Sequence, residues 1–121
     1  MKGLRTCIYR VTDLPAATEW YTKAFGKGPY FNEPFYVGFD VGGYELGLQP
    51  QEKPTTGDPE NVLTYWGVDD VQAEYDRLLE LGATSHEAPT NVGGPLIVAT
   101  VRDPWWNIIG LIFNPLFKVK D

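Results

Sequence analysis

A short motif occurs twice in this chain, 57 residues apart. VTDL at positions 11–14 has a counterpart, VDDV, at positions 68–71, and each copy ends an apolar run and begins a helical pattern. The third residue of each copy is an aspartate that stands where an N-cap carboxylate accepts backbone N–H groups. Each helical pattern ends at a glycine, Gly26 or Gly82, the residue that a left-handed C-terminal cap favours. A repeat with one fixed spacing predicts two copies of the same structural unit.

Strand patterns flank the two predicted helices. They are short, rich in β-branched and aromatic residues, and separated by Gly, Pro or Asn; one pair is joined by Gly42-Gly43, which is typical of a two-residue hairpin. The predicted strands are Leu4–Val11, Phe35–Val41, Tyr44–Gln49, Asn61–Val68, Ala83–Ala88, Leu96–Arg102 and Asn107–Phe113.

This order predicts one α+β domain over residues 1–121, built from two βαβββ modules at about 1–50 and 61–115. A linker is predicted at 51–60, within the run from Pro50 to Glu60, which contains three prolines and shows no apolar periodicity. Residues 116–121 alternate weakly, which is compatible with a terminal strand, a dimer contact or a frayed tail.

Charge and composition restrict the classes of partner. Ten Lys and Arg against sixteen Asp and Glu give a net charge of −6, which repels phosphate backbones and anionic lipids, so we expect neither nucleic acid nor membrane as a partner. The N-terminus has no apolar signal region, which predicts a cytoplasmic protein. The only cysteine, Cys7, forms no internal disulfide, and the only histidine, His86, is expected at the surface.

Three features occur together: the two βαβββ modules, a V-x-D-L motif that opens the first helix, and Arg102-Asp103-Pro104 before the last strand. With these features the chain resembles the vicinal oxygen chelate superfamily. This superfamily includes glyoxalase I, bleomycin-resistance proteins and extradiol dioxygenases. The resemblance extends to about Pro115. It implies two curved sheets that form a cup, with the helices outside and a ligand cavity on the concave side.

The resemblance also implies where metal ligands would stand in metal-using members. The matching positions here are Thr6, Gly47, Leu63 and Gly110. Leucine and glycine offer no side-chain donor, and one threonine hydroxyl does not hold a divalent ion against water. We therefore expect neither a metal nor another cofactor.

Strand alternation selects the residues that face the predicted cavity. If Tyr9 faces the helix, Thr6 and Arg10 face the cavity, with Glu45 and Gln49 from the neighbouring strand. Arg10 would orient an anionic or carbonyl group, and Glu45 would accept a hydrogen bond or act as a general base with a raised pKa. The alternative is that these two charges pair with each other or lie at a solvated rim.

Four aromatic residues complete the predicted ligand site, Phe35, Tyr65, Trp105 and Trp106. They would stack on a flat organic molecule, or else belong to the core or to a dimer interface. Trp106 stands where the superfamily usually has a glycine with positive φ. Because that conformation strains a bulky side chain, we expect this turn to differ.

These observations predict a metal-independent small-molecule-binding protein with a hydrophobic, partly aromatic cavity that sequesters its ligand. The alternative is a lyase, isomerase or dioxygenase of the same superfamily whose catalytic site is not recognised in the sequence. A homodimer is expected, because open sheet edges need covering.

Overall fold

A computed structural model describes residues 1–117, and the chain divides into two compact units, Met1–Thr56 and Gly57–Asp121. The boundary falls inside the predicted linker at 51–60. The alternatives for the tail concern mainly residues 118–121, which lie outside the described residues. Leu116 and Phe117, at its start, are exposed.

The first unit contains one helix and a four-stranded sheet. Its elements are β1 (Thr6–Val11), α1 (Leu14–Phe25), β2 (Phe31–Glu33), β3 (Tyr36–Val41) and β4 (Tyr44–Pro50). The strand order is β1-β4-β3-β2, with β1 parallel to β4 and the other pairs antiparallel. The sequence located three of these strands and missed β2, because three residues are too few to show a periodicity.

The second unit repeats this topology. Its elements are β5 (Tyr65–Gly67), α2 (Val71–Glu80), β6 (Thr84–Gly93), β7 (Leu96–Arg102) and β8 (Ile108–Phe113), in the strand order β5-β8-β7-β6. The prediction of two βαβββ modules in an α+β fold is confirmed. β5 is shorter than predicted, and β6 is longer because irregular pairing with β7 lets it continue to Gly93.

The capping and turn residues act as the sequence predicts. The side chains of Asp13 and Asp70 each accept the backbone N–H three residues later, at 3.1 and 3.0 Å. Gly26 ends α1 with φ 71°, and Gly42 and Gly43 form the β3–β4 turn with φ 60° and 89°. Since only glycine adopts these angles at little cost, the glycines fix where the elements end.

In the first unit, one face of the sheet packs on α1. Tyr9 and Val11 are buried on this face, and the Tyr9 ring stacks on Tyr21 of α1 at 5.7 Å. The opposite side of the sheet, which we call the open face, carries every second residue of β1 and β4. These residues are Thr6, Ile8, Arg10, Glu45, Gly47 and Gln49.

In the second unit, Ala99 and Val101 of β7 are buried on the side that contacts α2. Thr100 and Arg102 alternate with them and so point to the other side of the sheet. Among residues 1–117 the structure contains no helix with the length and apolar character needed to span a bilayer.

Candidate functional site

A carboxylate, Glu45, is the centre of a hydrogen-bonded cluster on the open face. Its Oε1 accepts hydrogen bonds from Thr6 Oγ1 at 3.0 Å and from the Tyr36 hydroxyl at 2.7 Å. Its Oε2 accepts one from the Tyr30 hydroxyl. Thr6 lies on β1, Tyr36 on β3 and Glu45 on β4. Tyr30 lies in the segment between α1 and β2. We call these four residues the Glu45 cluster.

Two glycines make room for the tyrosines of the cluster. Gly38 of β3 and Gly47 of β4 are paired in the sheet register. A Cβ at Gly38 would lie 3.0 Å from Cε1 of Tyr30, and a Cβ at Gly47 would overlap the Tyr36 hydroxyl. The bare backbone at both positions therefore lets the two phenols lie against the sheet and reach Glu45.

The hydrogen bonds fix the protonation states in the cluster. Hydrogen bonds from Tyr30 and Tyr36, with a smaller one from Thr6, lower the pKa of Glu45 in spite of its partial burial. Burial and the hydrogen bond to Glu45 raise the pKa of the Tyr36 phenol, and the same carboxylate raises the pKa of Tyr30. At neutral pH, Glu45 is ionised and both phenols are neutral. Of the two roles expected for Glu45, that of a general base with a raised pKa is wrong, because three donors stabilise its charge. Its role as a hydrogen-bond acceptor for a ligand stays a prediction.

Aromatic rings continue the open face beside the cluster. Phe31 packs 6.3 Å from Tyr36 and 6.1 Å from Phe35, measured between ring centroids. Phe35 is 67% exposed, so its ring is available to a ligand. An open depression of about 300 Å³ lies beside Tyr30 and Glu45 of the cluster, at the β3–β4 turn, and its lining residues are Tyr30, Asp40, Gly43, Tyr44 and Glu45.

The predicted site residues of the first unit separate into two groups. Thr6 and Glu45 are opposite each other in the register and hydrogen-bonded, as their predicted common face requires. Arg10 lies opposite Gln49, four residues further along both strands. At about 3.3 Å per residue, Arg10 is displaced from Glu45 by roughly 13 Å along the strands. A role for Arg10 and Gln49 in ligand binding stays a prediction.

Tyr65, a predicted site residue of the second unit, lies on β5 opposite Gly110 of β8. A Cβ at Gly110 would lie 2.7 Å from Cδ1 of Tyr65 and 2.5 Å from the carbonyl oxygen of Thr64. The Tyr65 ring is 38% exposed and covers a glycine, as Tyr36 covers Gly47 in the first unit. Contact of Tyr65 with a ligand stays a prediction.

The turn at Trp106 contradicts the sequence expectation. Trp106 has φ 72°, the left-handed conformation that the superfamily usually reserves for glycine, so the turn keeps its geometry. Asp103 Oδ1 accepts the backbone N–H groups of Trp105 and Asn107 at 2.9 and 2.8 Å. The indole N–H donates to Asp58 at 2.7 Å, and the Arg102 guanidinium lies 5.4 Å from the ring centroid. These contacts offset the backbone cost of a non-glycine residue.

Arg102, which sequence reasoning did not place in a site, has a side chain only 3% exposed. It donates to the carbonyl oxygens of Pro59 and Trp106, both at 3.0 Å. Its Nη2 lies 3.7 Å from Glu60 Oε2. Arg102 thus joins the end of the predicted linker to the β7–β8 turn within the second unit.

His86 belongs to the same polar network and is half-buried, with 21% of its side chain exposed. Its Nε2 lies 2.7 Å from Glu60 Oε2, and its Nδ1 lies 2.7 Å from the hydroxyl of the buried Thr100. The expectation of a simple surface histidine is therefore wrong. The polar segment TSHE at positions 84–87 gives no signal that the His86 side chain points toward Thr100.

The four positions at which the resemblance implies metal ligands offer no suitable set of donor atoms. Gly47 and Gly110 are covered by tyrosine rings, and the Thr6 hydroxyl is bound to Glu45. Leu63 is 42% exposed and offers no donor atom. Within residues 1–117, no group of three or more His, Cys, Asp and Glu side chains is placed to hold a metal ion. These donor atoms do not fit the divalent cation of metal-using members.

The two βαβββ modules form a glyoxalase-like fold. The family model of the Glyoxalase/Bleomycin resistance protein/Dioxygenase superfamily matches residues 3–111. The chain belongs to this superfamily.

Individual relatives are similar over most of their length. The uncharacterized protein YurT of Bacillus subtilis (strain 168) is 31% identical, over 93% of this chain and 98% of its own. A glyoxalase-related enzyme from Fulvimarina pelagi has a TM-score of 0.78 at 20% identity, covering 99% of this chain and 94% of its own. The fosfomycin resistance protein FosX from Listeria monocytogenes has a TM-score of 0.78 at 15% identity, with 96% of each chain covered. At these identities the two solved structures establish the fold alone.

Proposed function

We propose that this protein binds a small organic molecule on the open face of its first unit, without a metal ion, and sequesters it. The site consists of the Glu45 cluster and the exposed rings of Phe31 and Phe35. Ligand sites of this kind combine an apolar or aromatic lining with a few fixed polar groups. The cluster supplies the polar groups, and the two phenylalanines supply the apolar surface.

The observation that carries this proposal is the position of the Tyr36 hydroxyl. It occupies the space beside Gly47 where, according to the resemblance, metal-using members carry a ligand side chain. The hydroxyl is committed to Glu45 at 2.7 Å. An organic ligand held by shape, stacking and hydrogen bonds suits these atoms better than a coordinated cation.

Sequestration is favoured over catalysis by the electrostatics of Glu45. A general base works best when its pKa lies near the working pH. Hydrogen bonds from three hydroxyl groups lower the pKa of Glu45, which moves it further away from a neutral working pH. The enzymatic alternative, a lyase, isomerase or dioxygenase, would need another base or a metal.

Two measurements test the proposal. Elemental analysis of the purified protein by mass spectrometry should find far less than one Fe, Ni, Zn or Mn per chain; a stoichiometric metal that survives dialysis would overturn metal independence. Protein-observed NMR with a library of planar aromatic fragments should shift resonances of the open face.

A matched pair of variants locates the binding surface. Phe35→Ala should weaken fragment binding, because it removes an exposed ring beside the cluster. Val92→Ala should not, because Val92 is a comparably exposed apolar residue, 58% exposed, in the second unit. Equal losses in both variants, or no fragment binding in the wild type, would refute the assignment of the site.

We also propose that the protein is a homodimer. The described strands form two open sheets, which end in β1 and β2 and in β5 and β6. End strands present backbone N–H and C=O groups that a second copy can pair or cover. Light scattering coupled to size exclusion should give twice the chain mass of 13.6 kDa, and a monomer at micromolar concentration would contradict this.

A further inference from the structure

We propose that the ligand of the open face is an organic cation, an amine or amidine carried on an aromatic body. This inference rests on the proposed function and adds the chemical class of the ligand. It is argued from the direction of the hydrogen bonds in the Glu45 cluster, from the charges around the depression and from the exposed rings.

The direction of the hydrogen bonds makes the cluster a surface of acceptors. An ionised carboxylate only accepts, so Thr6, Tyr30 and Tyr36 each donate their single hydroxyl hydrogen to Glu45. What these hydroxyls offer to a ligand is therefore oxygen lone pairs. A carboxylate has about four acceptor directions, and the three hydroxyls use three of them. A ligand that meets this surface must bring donor hydrogens.

The charged side chains that line the depression are all negative. Its five lining residues include two carboxylates, Asp40 and Glu45, and no basic residue. Asp40 Oδ1 accepts the backbone N–H of Gly43 at 2.9 Å, so this carboxylate is held at the β3–β4 turn. The nearby Arg5, which precedes β1, directs its guanidinium to the carbonyl oxygens of residues 2–4. A net charge of −6 adds long-range attraction for cations.

The exposed rings suit a cation with an aromatic body. Tyr30, whose side chain lines the depression and belongs to the cluster, is 63% exposed. The negative face of such a ring attracts a positive charge within about 6 Å, and its surface stacks on a flat molecule. An anionic ligand would meet two carboxylates and acceptor lone pairs, and a neutral one would lose the charge-assisted hydrogen bond.

Three probes of nearly the same shape test this inference, namely benzamidine, benzamide and benzoate. Calorimetric titration at low salt should give benzamidine an affinity about tenfold or more above benzamide, as expected for a charge-assisted hydrogen bond, with benzoate the weakest. Glu45→Gln should reduce the preference to about threefold or less. Glu19→Gln, which removes an equal charge from an exposed site on α1, should leave it unchanged.

A second variant tests whether the Tyr30 hydroxyl accepts hydrogen bonds from the ligand or donates to it, and it keeps the charge of Glu45. Tyr30→Phe frees a lone pair on Glu45, so the affinity for benzamidine should be kept or increased. A loss of fivefold or more in this variant would mean that the hydroxyl donates to ligands, which contradicts the inference.

The outcomes distinguish the two proposals. If benzamide or benzoate binds as tightly as benzamidine, and Phe35→Ala weakens that binding, the cation preference is wrong while small-molecule binding stands. If none of the three probes binds the folded wild-type protein at millimolar concentration, the cation proposal is overturned, and a library of neutral fragments then decides the proposed function separately.

Discussion

Replacement of Trp106 by glycine and by alanine measures the strain in the β7–β8 turn. Both variants lose the indole hydrogen bond to Asp58 and the contact with the Arg102 guanidinium. They differ in the backbone, because glycine adopts φ 72° freely whereas alanine keeps a Cβ that clashes there. The difference between the variants therefore isolates the cost of the left-handed conformation.

The magnitudes follow from these contacts. A hydrogen bond to a charged group contributes about 1.5 kcal/mol or somewhat more, and an exposed cation–π contact about 0.5–1 kcal/mol. Trp106→Ala should therefore lower the free energy of unfolding by about 2–3 kcal/mol. Trp106→Gly should lower it by about 1 kcal/mol less, because the left-handed strain of about 1–2 kcal/mol disappears and glycine loses more chain entropy on folding.

Equilibrium unfolding in urea, followed by circular dichroism, measures these differences. Ala16→Gly on the exposed side of α1 is the control, since glycine should destabilise a helix by about 1 kcal/mol relative to alanine. Glycine should thus be the better residue at position 106 and the worse one at position 16. If Trp106→Ala is as stable as Trp106→Gly, the turn is not strained and the reasoning is refuted.

Three further predictions use the same measurement or a simple titration. Gly47→Ala should destabilise the protein by about 1–3 kcal/mol, because the new Cβ overlaps the Tyr36 hydroxyl, and adding Tyr36→Phe should cost less in this background than in the wild type. Arg102→Met should cost about 3 kcal/mol, because the carbonyl oxygens of Pro59 and Trp106 lose the buried guanidinium that donates to them. Arg77→Met, which breaks an exposed pair, should change stability by less than about 1 kcal/mol. In an alkaline titration at 295 nm, the two phenols of the Glu45 cluster should ionise above the ordinary tyrosine pKa, and Glu45→Gln should bring them back toward it.

The same pKa shifts predict how stability depends on pH. The lowered pKa of Glu45 contributes stability above the ordinary carboxyl pKa, which is lost as the pH falls through the folded-state value. The raised pKa of Tyr36 contributes stability below the ordinary phenol pKa, which is lost as the pH rises past it. In Glu45→Gln the acid contribution should vanish and the alkaline one should become smaller, because burial also raises the pKa of Tyr36. A variant with unchanged acid and alkaline limbs would show that the cluster does not form in solution.

Much of the fold could be predicted because its signals are local. The caps at Asp13 and Asp70 and the turn at Gly42-Gly43 depend on a few adjacent residues, and each was located correctly. Period-2 alternation placed Thr6 and Glu45 on one face, and the register pairs them directly. The strand β2 was missed, because only pairing with β3 makes its three residues a strand.

The candidate site was found only in part. Tyr30 and Tyr36 were not among the expected ligand-binding residues, although the glycines at positions 38 and 47 are the signal that could have indicated them. A glycine in a strand often marks close approach of another group. The sequence does not say which side chain approaches, since Tyr36 reaches Gly47 only after β3 and β4 have paired.

The sequence alone determined the two-module architecture, the helix ends, the excess of negative charge and the lack of donor side chains at Gly47 and Gly110. These depend on residue type and on spacing along the chain. Only the tertiary structure decided that three hydroxyls surround Glu45 and that Arg102 holds Trp106 in a conformation suited to glycine. The physical reason is that a pKa and a strained φ depend on atoms brought together from distant positions, so their energies are fixed by contacts that no local pattern encodes.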